Sequence, residues 1–261
     1  MGLRAPLRGV IFDYGNTLIG LRPPLRSDRT DYADVVARPG AERLVAFLER
    51  SGTLDGLVAA PELREHFLAV RETDRARANE SGHEITLSES LEAALRSLGL
   101  PVPPDDVMRL AVAEFYLPEI EAVEALPGAA ETLRCLKERG IRMALLSNAT
   151  SGAYVAEAAR RLGMRDRFDP FLVSADLGFR KPLERTFQAV LDSWKLPSPE
   201  VAMIGDSLYH DVAGAARLGL QTIHFVAIEN PGDMALRGRV RPDATARSHA
   251  ELQKILLSLF P

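Results

Sequence analysis

The sequence predicts an α/β protein built on a doubly wound parallel sheet, with a second domain made only of helices. In the second half of the 261-residue chain, short apolar runs alternate with amphipathic helical patterns, as expected for βαβ units and a parallel sheet. Near the start, the apolar run 9–12 ends in an aspartate, which adds one more strand to that sheet. Between residues 21 and 124 the apolar side chains instead recur at helical spacing.

The elements of the sheet domain follow from this alternation. Strands are predicted at residues 9–12, 143–146, 170–174, 201–204 and 221–225. Helices are predicted near residues 128–139, 151–162, 183–195 and 209–218. Phe187, Val190 and Trp194 have helical spacing in the third of these helices and are predicted to pack in the core. Ligands bind outside the carboxyl ends of the strands in such sheets, so we expect the functional site there.

The helical insertion separates the first strand from the rest of the sheet. Thr86 and Glu89 have capping-box spacing ahead of its third predicted helix. We expect flexible joints near residues 20–24 and 122–128. The predicted boundaries are therefore 1–20 with 125–261 for the sheet domain and 21–124 for the helical domain. The helices of the helical domain are predicted at residues 41–50, 61–79, 88–98 and 105–121.

Composition limits the kinds of partner that this chain can have. A formal net charge of −4 at pH 7 argues against a nucleic-acid-binding surface, since such domains are usually basic. No apolar run approaches the roughly 20 residues that a membrane-spanning helix needs, and the first residues do not form a signal peptide. Cys135 is the single cysteine and cannot form an internal disulfide. We therefore expect a soluble cytoplasmic protein.

Four groups of polar residues stand at predicted strand ends or helix starts. Asp13 ends the first strand and is followed by the turn residues Tyr14-Gly15-Asn16-Thr17, and a second strand ends in Ser147-Asn148. Lys181 precedes Pro182, which is predicted to occupy the first position of a helix. Another strand ends in Gly205-Asp206-Ser207, with Asp211 five residues after Asp206. In this order, the four groups resemble the haloacid dehalogenase superfamily of aspartate-nucleophile hydrolases.

This resemblance implies a Rossmann-type catalytic core whose helical insertion is a cap over the active site. It implies a phosphatase that acts on a small phosphorylated metabolite through an aspartyl-phosphate on Asp13. Ser147, Asn148 and Lys181 are then expected to bind the phosphoryl oxygens, and Lys181 also offsets the crowded carboxylates. The metal ligands implied are the carboxylates of Asp13, Asp206 and Asp211 and the main-chain carbonyl of Gly15, which also adjoins the substrate.

Elementary electrostatics indicates why a metal is expected. A carboxylate and a phosphate dianion about 3 Å apart repel by on the order of 10 kcal/mol at an effective dielectric of 20, so attack needs a cation beside them. Magnesium is a hard ion that takes carboxylates, carbonyl oxygens and waters. We therefore expect Mg²⁺ as the cofactor. The natural substrate and the oligomeric state do not follow from the sequence.

Gly15 departs from the pattern of the superfamily's phosphatases, which usually carry a second, acid/base aspartate at that position. Protonation of the leaving group then needs another source, such as a cap residue like His66 or His83, or a leaving group that departs unaided. One alternative is a phosphate- and metal-binding protein with weak or no turnover. A dehalogenase is disfavoured because the 205–211 motif has its metal-binding form. Phosphonate cleavage is disfavoured because residues 20–124, which include the predicted cap, contain no lysine.

Two further expectations concern charged residues outside these motifs. His210 is predicted to be an exposed residue in the first turn of a helix rather than a base. Arg64, Arg71 and Arg75 fall near one face of the second helix of the insertion. We expect that face to be solvated and paired with neighbouring carboxylates.

Overall fold

A computed structural model of the protein describes residues 6–22, 32–54 and 60–260. Its strands are β1 Gly9–Phe12, β2 Ile19–Leu21, β3 Val123–Ala125, β4 Arg142–Ser147, β5 Phe171–Val173, β6 Val201–Gly205, β7 Gln221–Phe225 and β8 Ala244–Ala246. Its α-helices are α1 Arg38–Arg50, α2 Ala60–Ser81, α3 Leu87–Ser97, α4 Asp105–Ala122, α5 Ala129–Glu138, α6 Gly152–Arg161, α7 Ser174–Leu177, α8 Glu184–Trp194, α9 Gly214–Arg217 and α10 His249–Leu257. None of the helices in these described ranges combines the length and apolar character that a bilayer crossing requires.

The chain forms two compact units, residues 1–20 with 124–261 and residues 21–123. The first unit contains a six-stranded sheet in the order β5-β4-β1-β6-β7-β8, and every adjacent pair is parallel. The predicted parallel α/β sheet is therefore confirmed. Strand β8, which the sequence analysis did not predict, reads only Ala-Thr-Ala. Three small or polar residues carry too little apolar pattern to be recognised as a strand.

Helix α8 packs against the centre of the sheet. Phe187, Val190 and Trp194 are buried together with the sheet residues Ile11 and Leu146, which confirms their predicted place in the core. The Trp194 ring lies so close to β1 that a Cβ on Gly9 would come within 2.5 Å of it. A glycine at the start of β1 is therefore a packing requirement, because any side chain there would displace the indole.

The chain leaves β1 in the middle of the sheet and builds outward from it in both directions. Strands β4 and β5 lie on one side of β1, and β6, β7 and β8 lie on the other. Phe12 is paired with Leu145 of β4 and with Ile204 of β6, so three strands end close to one another. Asp13, Ser147 and Asp206 all follow those ends, at the kind of edge where doubly wound sheets bind ligands.

The second unit is helical in its described residues, apart from the ends of β2 and β3. Phe67 of α2 and Phe115 of α4 meet edge to face with ring centroids 5.8 Å apart. The predicted capping box is confirmed, since Glu89 N donates to the Thr86 hydroxyl at 3.2 Å and Thr86 N donates to the Glu89 carboxylate at 2.7 Å. Parts of the predicted joint at 20–24 fall outside the described residues.

The two chain segments that connect the units are more regular than predicted. β2 and β3 form a two-stranded sheet where the sequence analysis placed flexible joints. Within the first unit Leu126 N donates to Leu18 O at 2.9 Å, and within the second Arg22 N donates to Ala122 O at 2.9 Å. Three-residue strands are too short for a period-2 pattern to be recognised, so the sequence analysis did not predict β2 and β3. The flexibility of the joints stays a prediction.

The arginines of α2 differ from one another in a way that their spacing does not indicate. Arg64 pairs with Glu42, and Arg75 with Glu72, as predicted for a solvated face. Arg71 is instead half-buried, with its guanidinium carbon 5.0 Å from the centroid of the Phe115 ring. Burial alone would lower the pKa of Arg71, but nearby Tyr32, Tyr116 and Glu119 raise it. The prediction of a solvated cation is wrong for Arg71.

Candidate active site

Asp13 lies directly beyond the end of β1 and is 8% exposed. Its main-chain N–H donates to Ile204 O at 2.9 Å, which continues the pairing with β6 by one residue and fixes the backbone at the nucleophile position. The following turn brings the Thr17 hydroxyl to Asp13 Oδ2 at 3.1 Å. Asn16 in that turn has a φ of 56°, a left-handed conformation that asparagine tolerates better than most side chains.

Lys181 places its ammonium between two carboxylates. Its Nζ lies 2.8 Å from Asp13 Oδ1 and 2.7 Å from Asp211 Oδ1, and its side chain is 1% exposed. Burial alone would lower the pKa of Lys181, but the Asp13 and Asp211 carboxylates outweigh burial and raise the pKa. The lysine is therefore held protonated against the predicted nucleophile.

The Asn148 side chain holds both the main-chain N–H and the main-chain carbonyl of Lys181. Asn148 Nδ2 donates to Lys181 O at 2.9 Å, and Lys181 N donates to Asn148 Oδ1 at 2.9 Å. His210 Nδ1 lies 3.0 Å from the same carbonyl oxygen. Because both ends of the Asn148 amide are engaged, the structure supports a role for Asn148 in positioning Lys181. A direct contact of Asn148 with phosphate stays a prediction.

Asp206 and Asp211 follow β6, which is buried along its whole length. The segment Leu208–Ala213 forms a π-helical turn, and Ser207 N donates to Asp211 Oδ2 at 3.0 Å. A Cβ on Gly205 would collide with the Asp211 carboxylate. The glycine of this motif is therefore needed so that Asp211 can fold back against the end of the strand.

Asp13, Asp206 and Asp211 bring three carboxylates together. All three are buried, and one oxygen from each lies within 4.8 Å of the others. Burial raises the pKa of Asp13, with a further contribution from Asp211 that Lys181 opposes. Burial also raises the pKa of Asp206 well above its usual range, and Asp13 and Asp211 add to this effect. Three buried carboxylates and one ammonium carry a formal charge of −2, which fits a hard divalent cation.

Ser147 and Gly15 complete the set of predicted site residues. Ser147 ends β4 beside β1 and is 5% exposed. Gly15 is exposed, follows Asp13 in the same turn, and forms a β-bridge with Ile19. Its φ lies outside the left-handed region, and a Cβ there would meet no atom of the described residues within 4 Å. The glycine at this position is therefore not required by the backbone.

Two expectations about the neighbours of these residues are wrong. His210 is half-buried rather than exposed, and burial together with Lys181 and Arg180 lowers its pKa to about 4. Pro182 does not begin a helix, because Leu183 has an extended backbone and α8 starts at Glu184. Lys181 is therefore positioned by Asn148 and His210 instead of by a helix end.

Several contributors were not identified from the sequence. Asn16 Nδ2 and Asn230 Nδ2 both donate to Asp206 Oδ2, at 3.3 and 3.1 Å. Asn16 and Thr17 lie inside a recognised motif, so their position after Asp13 was an available signal. Asn230 lies outside every motif, and nothing in its local sequence indicates that it reaches the site.

A parallel sheet that gathers a buried aspartate, a lysine and two further carboxylates at the ends of its central strands defines a class of hydrolases. The chain belongs to the haloacid dehalogenase-like hydrolase family, whose model matches residues 7–219. This confirms the resemblance found in the sequence.

Individual relatives agree with this family. The ribulose-1,5-bisphosphate 5-phosphatase of Halopiger xanaduensis is 34% identical over 122 residues, which cover 47% of this chain and 50% of that protein. The glyceraldehyde 3-phosphate phosphatase of Pyrococcus abyssi is 32% identical over 133 residues, covering 50% and 54%. The chain thus spans about half the length of these curated relatives.

Among solved structures, a 2-haloacid dehalogenase from Pseudomonas syringae pv. Tomato DC3000 superposes with a TM-score of 0.63 at 25% identity. The match covers 97% of this chain and 99% of that chain. A likeness of this extent agrees with the parallel-sheet fold described above.

Proposed function

We propose that the protein is a magnesium-dependent phosphatase that hydrolyses a small phosphomonoester through an aspartyl-phosphate on Asp13. The observation that carries this proposal is the Lys181 ammonium, which contacts both Asp13 and Asp211 in a buried cluster of carboxylates. An anionic nucleophile beside a fixed cation is what attack on an anionic phosphoryl group requires.

The first step is attack of an Asp13 carboxylate oxygen on phosphorus. The bond between phosphorus and the ester oxygen breaks, and the leaving group takes that oxygen with its electron pair. The Thr17 hydroxyl donates to Asp13 Oδ2, while Lys181 holds Oδ1, so the carboxylate is oriented before substrate arrives. Ser147 lies at the adjacent strand end, where its hydroxyl is suited to donate to a phosphoryl oxygen. Water then attacks phosphorus as the bond between phosphorus and the Asp13 oxygen breaks, and the Asp13 carboxylate keeps the electron pair of that bond. Phosphate leaves with the oxygen of that water, and one water proton passes through solvent to the departed alcohol oxygen.

The donor set fits the proposed cofactor. Asp13, Asp206 and Asp211 offer hard oxygen ligands within 4.8 Å of one another, and we assign to them, with the Gly15 carbonyl, the role of holding Mg²⁺. When bound, the ion supplies positive charge that offsets repulsion between the nucleophile and the phosphoryl oxygens. Burial, with a further contribution from the neighbouring carboxylates, raises the pKa values of Asp13 and Asp206, so a cation at this site would stabilise their charged forms.

For the substrate, we propose a small phosphorylated metabolite, with the helical unit acting as the cap that selects it. Two relatives are named for phosphate esters of sugar type, a ribulose bisphosphate and glyceraldehyde 3-phosphate. Gly15 supplies no side-chain acid, so we further propose that the enzyme favours leaving groups that need little protonation. An aryl phosphate would then be cleaved faster than an alkyl phosphate.

The test is release of inorganic phosphate from a panel of esters, measured with Mg²⁺ and with EDTA. The panel contains p-nitrophenyl phosphate, glyceraldehyde 3-phosphate and ribulose bisphosphate. We expect turnover that Mg²⁺ stimulates and EDTA abolishes. Binding of Mg²⁺ and phosphate without turnover of any ester would support the alternative of a binding protein with little or no catalysis. Turnover that is indifferent to chelation would contradict the metal-dependent mechanism.

A second candidate function is hydrolysis of a carbon–halogen bond. It is favoured by the 25% identity to a 2-haloacid dehalogenase over nearly the whole chain and by the glycine at position 15. The clustered carboxylates of Asp206 and Asp211 count against it, because a halide leaving group needs no divalent cation. Chloride release from 2-chloropropionate in EDTA would establish this activity in place of the first.

A further inference from the structure

Strand β7 and the segment that follows it contact the Asp206 region at three points. The segment contains the turn Asn230-Pro231-Gly232-Asp233, which is called the 230–233 turn below and whose last three residues form a 3-10 helix. We propose that this turn, together with His224, positions the Asp206 carboxylate for cation binding. The inference rests on the metal site of the proposed function and adds residues that lie outside every motif of the sequence.

Asn230 acts on the Asp206 side chain. Its Oδ1 accepts from Gly232 N at 3.0 Å, which fixes the orientation of the amide and directs Nδ2 away from its own turn. Nδ2 then donates to Asp206 Oδ2 at 3.1 Å, on the same oxygen that Asn16 reaches. Two amide donors on Oδ2 stop the carboxylate from rotating and leave Oδ1 for a metal.

His224 and Asp233 act on the Asp206 main chain. His224 Nε2 lies 3.0 Å from Asp206 O and 3.0 Å from Asp233 Oδ2. A proton on Nε2 lets His224 donate to Asp206 O, and the Asp233 carboxylate lies beside that ring nitrogen. Asp233 is 3% exposed, and a carboxylate buried to that degree needs partners of this kind.

Asp233 also connects Asp206 to the turn that carries Asp211. Its Oδ1 accepts from Leu208 N at 2.8 Å, and Leu208 begins the π-helical turn Leu208–Ala213. One buried carboxylate thus holds the peptide after Ser207 and the imidazole that supports Asp206. Partners of metal-binding carboxylates commonly contribute 10- to 100-fold to metal affinity, so the 230–233 turn has a function that its surface position does not reveal.

The test compares Asn230→Ala and Asp233→Asn with Met234→Ala. Met234 directly follows the turn and is 72% exposed, so it is a matched control. In Asp233→Asn, the side-chain amide oxygen can still accept from Leu208 N. The amide NH₂ would then face the proton on His224 Nε2, so only the contact with His224 is lost. Isothermal titration of Mg²⁺ into EDTA-stripped protein gives the Kd, and circular dichroism melts in metal-free buffer report stability.

We expect the Kd for Mg²⁺ to rise about tenfold in Asn230→Ala and severalfold in Asp233→Asn, and to stay unchanged in Met234→Ala. The metal-free melting temperature should fall by less than about 3 °C in each. The Mg²⁺ concentration for half-maximal rate should rise in step with Kd, while the rate at saturating Mg²⁺ stays within about threefold of wild type.

Two results would overturn the inference alone. The first is a wild-type Kd in both turn variants while the wild-type protein itself binds Mg²⁺. The second is a loss of affinity that accompanies a large drop in metal-free stability, since the turn would then support the fold and not the carboxylate. If the wild-type protein does not bind Mg²⁺, the proposed metal site fails as well, and this outcome is distinct from the other two.

Discussion

The two units differ in how their charged residues are used. In the sheet unit, Asp13, Lys181 and Asp211 are buried and contact one another, although they are far apart in sequence. In the helical unit, several of the ion pairs described join exposed side chains, as for Arg96 with Glu92, while Arg71 is half-buried and Asp74 is buried. The comparison shows that the order of the strands brings functional residues together at the strand ends. The presence of charged residues on a helix, in contrast, does not indicate which of them is buried.

Among the substitutions that test this comparison, Asp13→Asn has the largest expected effect. Asparagine has nearly the same shape but cannot act as the anionic nucleophile or pair with Lys181 as an ion. We expect turnover to fall by at least about 10⁴-fold while the fold is kept. Phosphate release and circular dichroism measure the two effects. Asp192→Asn, an exposed carboxylate on α8, is the control and should retain full activity. Wild-type rates in Asp13→Asn would rule out the covalent mechanism.

Gly15→Asp sharpens the comparison by adding an acid to the sheet unit. The φ of Gly15 lies outside the left-handed region, and its Cβ position is free of described neighbours, so the turn accepts a Cβ without strain. We expect hydrolysis of alkyl phosphates to rise by up to about 10²–10⁴-fold, with aryl phosphates little changed. The measurement is the alkyl-to-aryl rate ratio.

Gly15→Asn is the matched control for this experiment, because it fills the same space without an acidic proton. It should leave the alkyl-to-aryl ratio at the wild-type value. If Gly15→Asp folds, binds Mg²⁺ and also keeps the wild-type ratio, the missing acid does not limit this enzyme and the account of Gly15 is wrong.

A test within the helical unit compares Arg71→Met with Arg75→Met on the same helix. Arg71 stacks on Phe115 and lies near Glu119, which also accepts from the Tyr32 hydroxyl at 2.8 Å. Removing the Arg71 guanidinium takes a positive charge away from the neighbouring Glu119 carboxylate. We therefore expect the free energy of unfolding to fall by about 2 kcal/mol. Arg75→Met removes only an exposed pair and should cost less than about 0.5 kcal/mol. Chemical denaturation measures both, and equal losses would show that Arg71 is no different from its exposed neighbour.

The same contrast explains how much the sequence could predict. The sheet and the positions of Asp13 and Asp206 followed from apolar runs that end in polar residues, because parallel strands place their carboxyl ends at one edge. The places of Lys181 and Asp211 in the site were implied by the resemblance to the haloacid dehalogenase superfamily. Helix positions in the insertion followed from apolar periodicity and from the Thr86 cap. These features are local, and local spacing determines them.

Features that depend on distant parts of the chain were not predictable. Asn230 reaches Asp206 because β7 runs beside β6, and His210 is half-buried with its Nδ1 against the Lys181 carbonyl oxygen. Asn148 reads as a turn residue in sequence, and its contact with the Lys181 main chain depends on a partner 33 residues away. In each case the contact is made by long-range packing, and a single sequence carries no local signal for it.

The smallest effect is expected for Asp206→Asn in the sheet unit. This variant measures the free energy of unfolding that is lost because carboxylates are crowded there. Burial, Asp13 and Asp211 raise the pKa of Asp206 above its value in the unfolded chain. The folded protein therefore binds more protons than the unfolded one, and its stability falls as pH rises from the unfolded pKa to the folded pKa. Each unit of difference between those pKa values corresponds to about 1.4 kcal/mol.

In EDTA the wild type bears this cost increasingly as the pH rises from the unfolded pKa, so the comparison is made at pH 8, and the neutral isostere removes the cost. We therefore expect Asp206→Asn to melt a few degrees higher than wild type, and the difference to shrink as the pH is lowered toward the usual range of carboxyl groups. Mg²⁺ should raise the melting temperature of the wild type and leave that of the variant nearly unchanged, because the cation loses a ligand. A variant that melts below the wild type in EDTA at pH 8 would contradict this account. It would show that Lys181, Asn16 and Asn230 already compensate the charge of Asp206 without a metal.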